Sequence, residues 1–326
     1  NAYIEAYSQR IGLTRKDVVL SLRGRNVRGS TADSGPLWSY EPIKRMLWIS
    51  PNHLDAAYMP SHVDAAIKYG VSFIQGYSSA VYELARWLEF NPVPRFTQAV
   101  RGVQLFSESA DEGMVALIEK VFGCPVLVHY GHSERAVMAG SMPDDHRYFV
   151  WPLYGHVELI DETGRPITER GVQGEVVATA FDNKVMPFIR YRTGDLAMWS
   201  AGPAHPALPG YPVLERIDGR NNDYFVGHDG RRIPVASLGG LRPPEFLQVE
   251  ASQYEQFEPG QLIVRLQSAV PLSPEVLAVL DRYFRTKLLG CVEAELRVVP
   301  QIERTARGKR RLMIQHIKAE EGARAA

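Results

Sequence analysis

The chain has 326 residues, with 37 Lys+Arg against 37 Asp+Glu, and is 45% hydrophobic and 23% charged. That composition excludes wholesale disorder, and zero net charge excludes the basic excess of a dedicated nucleic-acid binder. No apolar run reaches the ~18–20 residues of a membrane helix. The first residues do not read as a signal peptide. Two cysteines far apart, Cys124 and Cys291, cannot supply a structural zinc site unaided and do not look like a disulfide framework, so a reducing cytoplasm is the default expectation.

In chain order, Ala2 to Arg10 predicts a helix closed by Gly12, and 18–20 a short buried strand. Residues 22–36 are rich in Gly, Ser and Thr and predict a loop. Leu47-Trp48-Ile49 reads as a strand, and a helix runs from Pro60 to Tyr69 with Ser61 as its cap. Val71 to Gln75 reads as a strand. Gly76-Tyr77-Ser78-Ser79 then turns into a helix, with Val81, Leu84, Ala85 and Leu88 at helical spacing. Strands 103–106 and 126–128 flank an amphipathic helix from Asp111 to Phe122. Short strands alternating with helices predict βαβ units and a mainly parallel sheet.

From residue 147 the pattern becomes β-rich, with strands at 149–151, 157–160, 174–179 and 188–191 and a hairpin turn at Asp161 to Gly164. After a Pro/Gly loop at 201–213, strands at 262–266 and 294–299 flank a helix from Ser273 to Leu289. The expected class is therefore α/β (α+β): a core over 1–218, with an α/β part to about 146 and a β-rich part at 147–218. A small α+β domain follows at 219–326.

Four segments carry the chemistry: Tyr130-Gly131-His132-Ser133-Glu134; Tyr191-Arg192-Thr193-Gly194-Asp195; Ile217 to Asp223; and Arg304-Thr305-Ala306-Arg307-Gly308-Lys309. Alone, each is an ordinary turn bearing a solvated charge. Tyr130 follows a strand at the carboxyl end where α/β sheets place ligands, and its ring offers a flat face to a purine. Glu134 has the hard oxygen donors Mg²⁺ prefers; a first-turn helix carboxylate is the equal alternative.

In this order, with Gly76 to Ser79 and Met186 to Asp195, the segments resemble the adenylate-forming ligases over roughly residues 45–315. The branch they look most like is the phenylacetate–CoA ligase-like group, which includes capsular-polysaccharide-associated proteins and coenzyme F390 synthetases. The resemblance implies ATP-dependent activation of a carboxylic acid, aryl or related, to an acyl-adenylate, followed by transfer to a thiol such as CoA. A non-catalytic nucleotide-binding homologue is the alternative, as is transfer to an amine, a carrier protein or a sugar; an interaction or scaffold protein is a further class.

The resemblance also assigns residues. Ser107, Glu108 and Ser109 wrap the adenine, with Ser107 standing where a Gly is usual. Tyr130, Gly131 and Ser133 bind the nucleotide, Asp195 accepts the ribose hydroxyls, and Arg216 also reaches ribose. Arg192 braces its own loop. Glu134 holds Mg²⁺ on the phosphates. Arg220 and Lys309 are the catalytic cations, Asn222 sits at a hinge, and Tyr77 lines the acyl pocket; His132 lines that pocket or approaches the phosphate, a loop His with no charge role being the equal alternative. The partners are ATP, Mg²⁺, CoA or a carrier protein, and a small carboxylic acid, with a homodimer as an assembly to test. The four-Cys zinc cluster of some relatives has no counterpart. The phosphate loop with its Lys is also unmatched: residues 29–35 lack the Lys and carry Asp33. The expectation is that this loop lies upstream of Asn1.

Overall fold

The computed structural model describes residues 2–23, 37–51, 54, 56–108, 110–220, 224–230, 232–235, 248–288, 291–305 and 310–317, with the backbone alone at 219–220 and 232–234. The chain forms two compact units, one of Asn1–Gly219 and one beginning at Arg220.

The first unit is organised on a twelve-stranded sheet. Its elements are α1 (Ala2–Ser8), β1 (Val18–Leu22), β2 (Trp38–Glu41), β3 (Met46–Ile49), α2 (Met59–Tyr69), β4 (Val71–Tyr77), α3 (Ser78–Phe90), α4 (Pro94–Thr97), β5 (Gly102–Phe106), α5 (Glu112–Phe122) and β6 (Val126–Gly131). They continue with β7 (Met138–Met142), β8 (Asp145–Val150), β9 (Gly155–Ile160), β10 (Gln173–Ala180), β11 (Tyr191–Trp199) and β12 (Val213–Arg220). The strand order is β2-β3-β1-β4-β5-β6-β7-β8-β12-β11-β10-β9. Strands β3, β1, β4, β5 and β6 pair in parallel. β7 then pairs antiparallel to β6, which opens the antiparallel part.

The two faces of the parallel strands differ in chemistry. Leu20, Ile74, Val103, Leu105, Val126 and Val128 face one way and form a core with Val63 of α2, Val81 and Leu84 of α3 and Ile118 of α5. Each such buried Val, Leu or Ile contributes roughly 1.5–3 kcal/mol. The alternate residues make a polar row: Ser21 is level with Gln75, Gln75 with Gln104, and Gln104 with Leu127. Ser8 of α1 closes this row, its hydroxyl 3.1 Å from Gln104 Oε1, and Gln75 Nε2 donates to the same Oε1 at 2.6 Å. Tyr7 of α1 donates to the Val128 carbonyl, and its ring lies directly on Gly140 of β7, where no side chain would fit.

Local chemistry sets the helix ends. Asp111 accepts the Met114 N–H at 3.0 Å to start α5, and Gly123 ends it with a left-handed φ of 60°. Ser61 is not the cap of α2: the helix begins two residues earlier, with Pro60 in its first turn, where a missing N–H is tolerated.

Three further expectations are corrected. The β-rich part starts at Met138, ahead of residue 147; the small residues of β7 show no alternation to reveal it. Gly76 and Tyr77 belong to β4, and α3 starts at Ser78 without an intervening turn. Residues 188–190 precede β11 instead of belonging to it, since Arg190 takes a left-handed φ of 48°.

The second unit contains β13 (Tyr224–Val226), β14 (Arg232–Pro234), β15 (Ala251–Gln256), β16 (Gln261–Gln267), α6 (Pro274–Lys287), β17 (Glu293–Val299) and β18 (Met313–Gln315). A four-stranded sheet in the order β17-β16-β15-β18 packs on α6 through Tyr254, Leu262, Val264, Leu280 and Phe284. Ser273 caps α6. Buried Gln256 exchanges hydrogen bonds with both Val226 N–H and carbonyl, tying β13 to this sheet. Among the described residues no helix is long and apolar enough to cross a membrane.

Candidate active site

The parallel strands end on one edge, and β6 delivers Tyr130 there. Its hydroxyl donates to Asp195 Oδ2 at 2.8 Å. His132, just past the end of β6, sits edge-on to the Tyr130 ring with centroids 5.1 Å apart. Its Nε2 lies 2.9 Å from the Tyr130 hydroxyl and 3.2 Å from Asp195 Oδ2. Two side chains from β6 and the turn after it therefore converge on one carboxylate oxygen of β11.

Asp195 is aimed there by a bulge. Arg192 pairs with Val177 and Leu196 with Glu175, so Thr193, Gly194 and Asp195 stand opposite Val176 alone. Gly194 absorbs the excess with a φ of 74°, the conformation glycine adopts without Cβ strain. Thr193 holds the bulge, donating through Oγ1 to the Val176 carbonyl at 2.9 Å and accepting the Asp195 N–H at 3.0 Å. Glu175 accepts the Gly194 N–H and pairs with Arg192, whose guanidinium is held above its ordinary pKa by that contact. Arg192 thus braces the bulge. Asp195, expected in a strand-ending turn on the plainest reading, lies inside β11 and is 8% exposed.

Glu134 is partly buried and accepts a hydrogen bond from Tyr191 at 3.3 Å; Ser133 is exposed. Among the described residues no group of three or more His, Cys, Asp and Glu side chains is placed to hold a metal ion. A single carboxylate suits Mg²⁺ carried in on phosphates, which keeps several waters and needs one or two protein oxygens. Gly131 has its Cα against His129: a Cβ would lie 3.0 Å from that ring and 3.1 Å from the Val137 carbonyl.

Other expected residues fall elsewhere. Ser107 takes the left-handed φ of 64° that favours the Gly usual in this place. Glu108 caps α3, accepting the Ser79 N–H at 2.9 Å, and its carbonyl accepts from the Ser78 hydroxyl. Its carboxylate is thus used on the favourable helix N-terminus. Tyr77 is buried at 6% exposure and belongs to the core. His132 faces Asp195, its Nε2 3.2 Å from Oδ2. Arg216 is exposed and pairs with Asp218. Arg220 ends the backbone of β12. Ser109, Asn222, Lys309 and the segment 29–35 lie outside the described residues.

Sequence reasoning passed over His129, set aside as structural or solvated, and Arg23. Arg23 follows β1 and lies 5.0 Å over the Phe106 ring. The signal was period two: His129 and Gly131 share a face with Phe106, opposite Tyr130.

This chain has the fold of the adenylate-forming ligases. It is 23% identical over 331 residues to protein CapK of Staphylococcus aureus, covering 97% of this chain and 69% of that protein. It is 29% identical over 112 residues to phenylacetate-coenzyme A ligase of Pseudomonas putida, covering 33% of this chain and 25% of that one. Among solved structures it is similar to 2-hydroxyisobutyryl-CoA ligase in the postadenylation state, in complex with R3-HIB-AMP. That match has a TM-score of 0.68 and 16% identity, over 94% of this chain and 67% of the other. No protein-family model matches the sequence.

Proposed function

We propose that this chain activates a carboxylic acid with ATP, R–COO⁻ + ATP → R–CO–AMP + PPi, and passes the acyl group to a thiol such as CoA. The observation that supports the reading best is the convergence of Tyr130 and His132 on Asp195, with Glu134 two residues beyond His132. Asp195 is a buried, hydrogen-bonded carboxylate at the sheet edge, suited to accept ribose hydroxyls through charge-assisted bonds. The Tyr130 ring, fixed by its hydroxyl and by His132, offers the adjoining face to adenine.

The reaction joins two anions. One carboxylate oxygen attacks the α-phosphorus while the bond to the bridging oxygen breaks and pyrophosphate leaves. Cations must offset that repulsion. Glu134 would hold Mg²⁺, which supplies charge neutralisation on the phosphates when bound. Arg220 and Lys309 are assigned the remaining charge on the strength of the motif alone.

The test is ATP–pyrophosphate exchange by the full chain against a panel of aliphatic and aryl acids. Acid-dependent exchange is expected. If AMP binds and no acid promotes exchange, the chain is a nucleotide-binding homologue instead.

A further inference from the structure

The polar face of the parallel strands ends in a constellation that the adenylate chemistry leaves unused. One row beyond the Ser21–Gln75–Gln104 level, this face carries Arg23, Tyr77, Phe106 and His129, with Tyr77 level with Phe106. Arg23 reaches from the end of β1 across β4, so that its guanidinium stands 5.0 Å over the Phe106 ring on β5. His129 packs against the same ring, with centroids 5.2 Å apart, and is close enough to Arg23 to feel its charge. Gly131, two residues on, leaves the end of the row without a side chain to cover it.

Both flanking groups have bonding capacity in hand. A guanidinium has five N–H donors, and the hydrogen bond Arg23 makes is to Gln75 Oε1, at 3.4 Å. Among the described residues no carboxylate pairs with it. His129 Nε2 is buried and without a hydrogen-bond partner among the described residues. A partly buried cation with no counter-charge among the described residues is costly to keep, and burial already depresses the Arg23 pKa. Cation–π contact with Phe106 offsets part of that cost. Packing alone would be served by a Leu or Met at this position, without the unspent charge.

Resting on the reading above for where the acid enters, we infer that the acid carries a second carboxylate, received by Arg23 and His129 beside the Phe106 ring. The reacting carboxylate belongs beside Tyr130 and His132, which leave β6 on the other face. The acyl chain would run over Phe106, so the site selects dicarboxylic acids over their monocarboxylic counterparts.

The probes are matched pairs, succinate against butanoate and terephthalate against benzoate, titrated by calorimetry into the full chain with AMP present. At least one dicarboxylate should bind about tenfold or more tightly than its partner, the scale of a charge-assisted pair. Arg23→Met, which keeps the apolar stem, should bring that ratio near one and leave the monocarboxylate almost unchanged. Arg23→Lys should keep part of the preference, and both variants should melt within a few degrees of the parent. Equal affinity within every pair, absence of binding by any of the four acids, or equal weakening of both members by Arg23→Met would overturn the inference. In the last case Arg23 serves the reacting carboxylate or the fold. Exchange assays with the same acids separate this from the functional reading: discrimination in binding without exchange removes acid activation only, and exchange without discrimination removes the second carboxylate only.

Discussion

Replacing His129 with Gln should flatten the acid side of the protein's stability profile. The imidazole is packed between Phe106 and Tyr7, with centroids 5.2 and 5.9 Å away. Burial first, and then the charges of Arg23 and His132, push its pKa down to about 4. In the unfolded chain the same ring takes up a proton near pH ~6.5. Between the two values the unfolded state binds more protons, so stability rises with pH across this window and is lost as pH falls through it. Weighting the protonation of both states gives about 2 kcal/mol lost between pH ~7 and ~5 from this one group. Urea unfolding of wild type and His129→Gln at both pH values isolates the contribution from the other histidines. The parent should lose about 2 kcal/mol more than the variant over that interval. Parallel losses would mean that the ring accepts its proton in the folded state, and the packing argument would fail.

Three other outcomes are expected. Gly140→Ala would put a Cβ 2.5 Å from Tyr7 Cζ and should cost about 1–3 kcal/mol by urea unfolding, the usual scale of overpacking; most of that cost should vanish in a Tyr7→Leu background, and simple additivity would show that the ring does not rest there. Asp195→Ala should weaken AMP binding by about 1.5–3 kcal/mol in calorimetry, whereas unchanged affinity would take Asp195 out of the site. Lys309→Ala should slow adenylation by about 10²–10³ but spare acyl transfer from supplied acyl-adenylate; an equal loss in both steps would assign Lys309 a structural part.

The parallel strands were legible because β4, β5 and β6 are runs rich in Val, Ile, Leu and Phe, bounded by Gly, Pro or Ser and separated by helical spacing. β2 was not, because four residues of mixed character sit directly after the loop-like stretch and its Pro36. The motif residues Tyr130 and Asp195 could be picked out by order along the chain, but the way they meet could not. That contact spans 65 residues and depends on a bulge whose only trace in sequence is Gly194. His132 shows the same limit from the other side. Its position in the motif marked it as part of the site, yet only the turn after β6 decides that it meets Asp195. Arg23 and His129 were passed over because each is unremarkable in its own segment; the register of four strands, not any local pattern, puts both against one ring.

The place of β6 in the sheet has a kinetic consequence. It is the seam strand, paired in parallel to β5 on one side and antiparallel to β7 on the other, and the contacts on Asp195 join residues from the two sides. Closing so long a loop is entropically expensive and is rewarded only after both flanks have zipped. The Tyr130–Asp195 contact therefore needs both flanks in place, and amides at the end of β6 and in the β11 bulge are expected to exchange together. A nucleotide seated on both residues would cross-brace the seam and favour the closed state by mass action. Added AMP should then slow exchange at the end of β6 and in the β11 bulge together, while leaving the amides of β15 and β16 as they were.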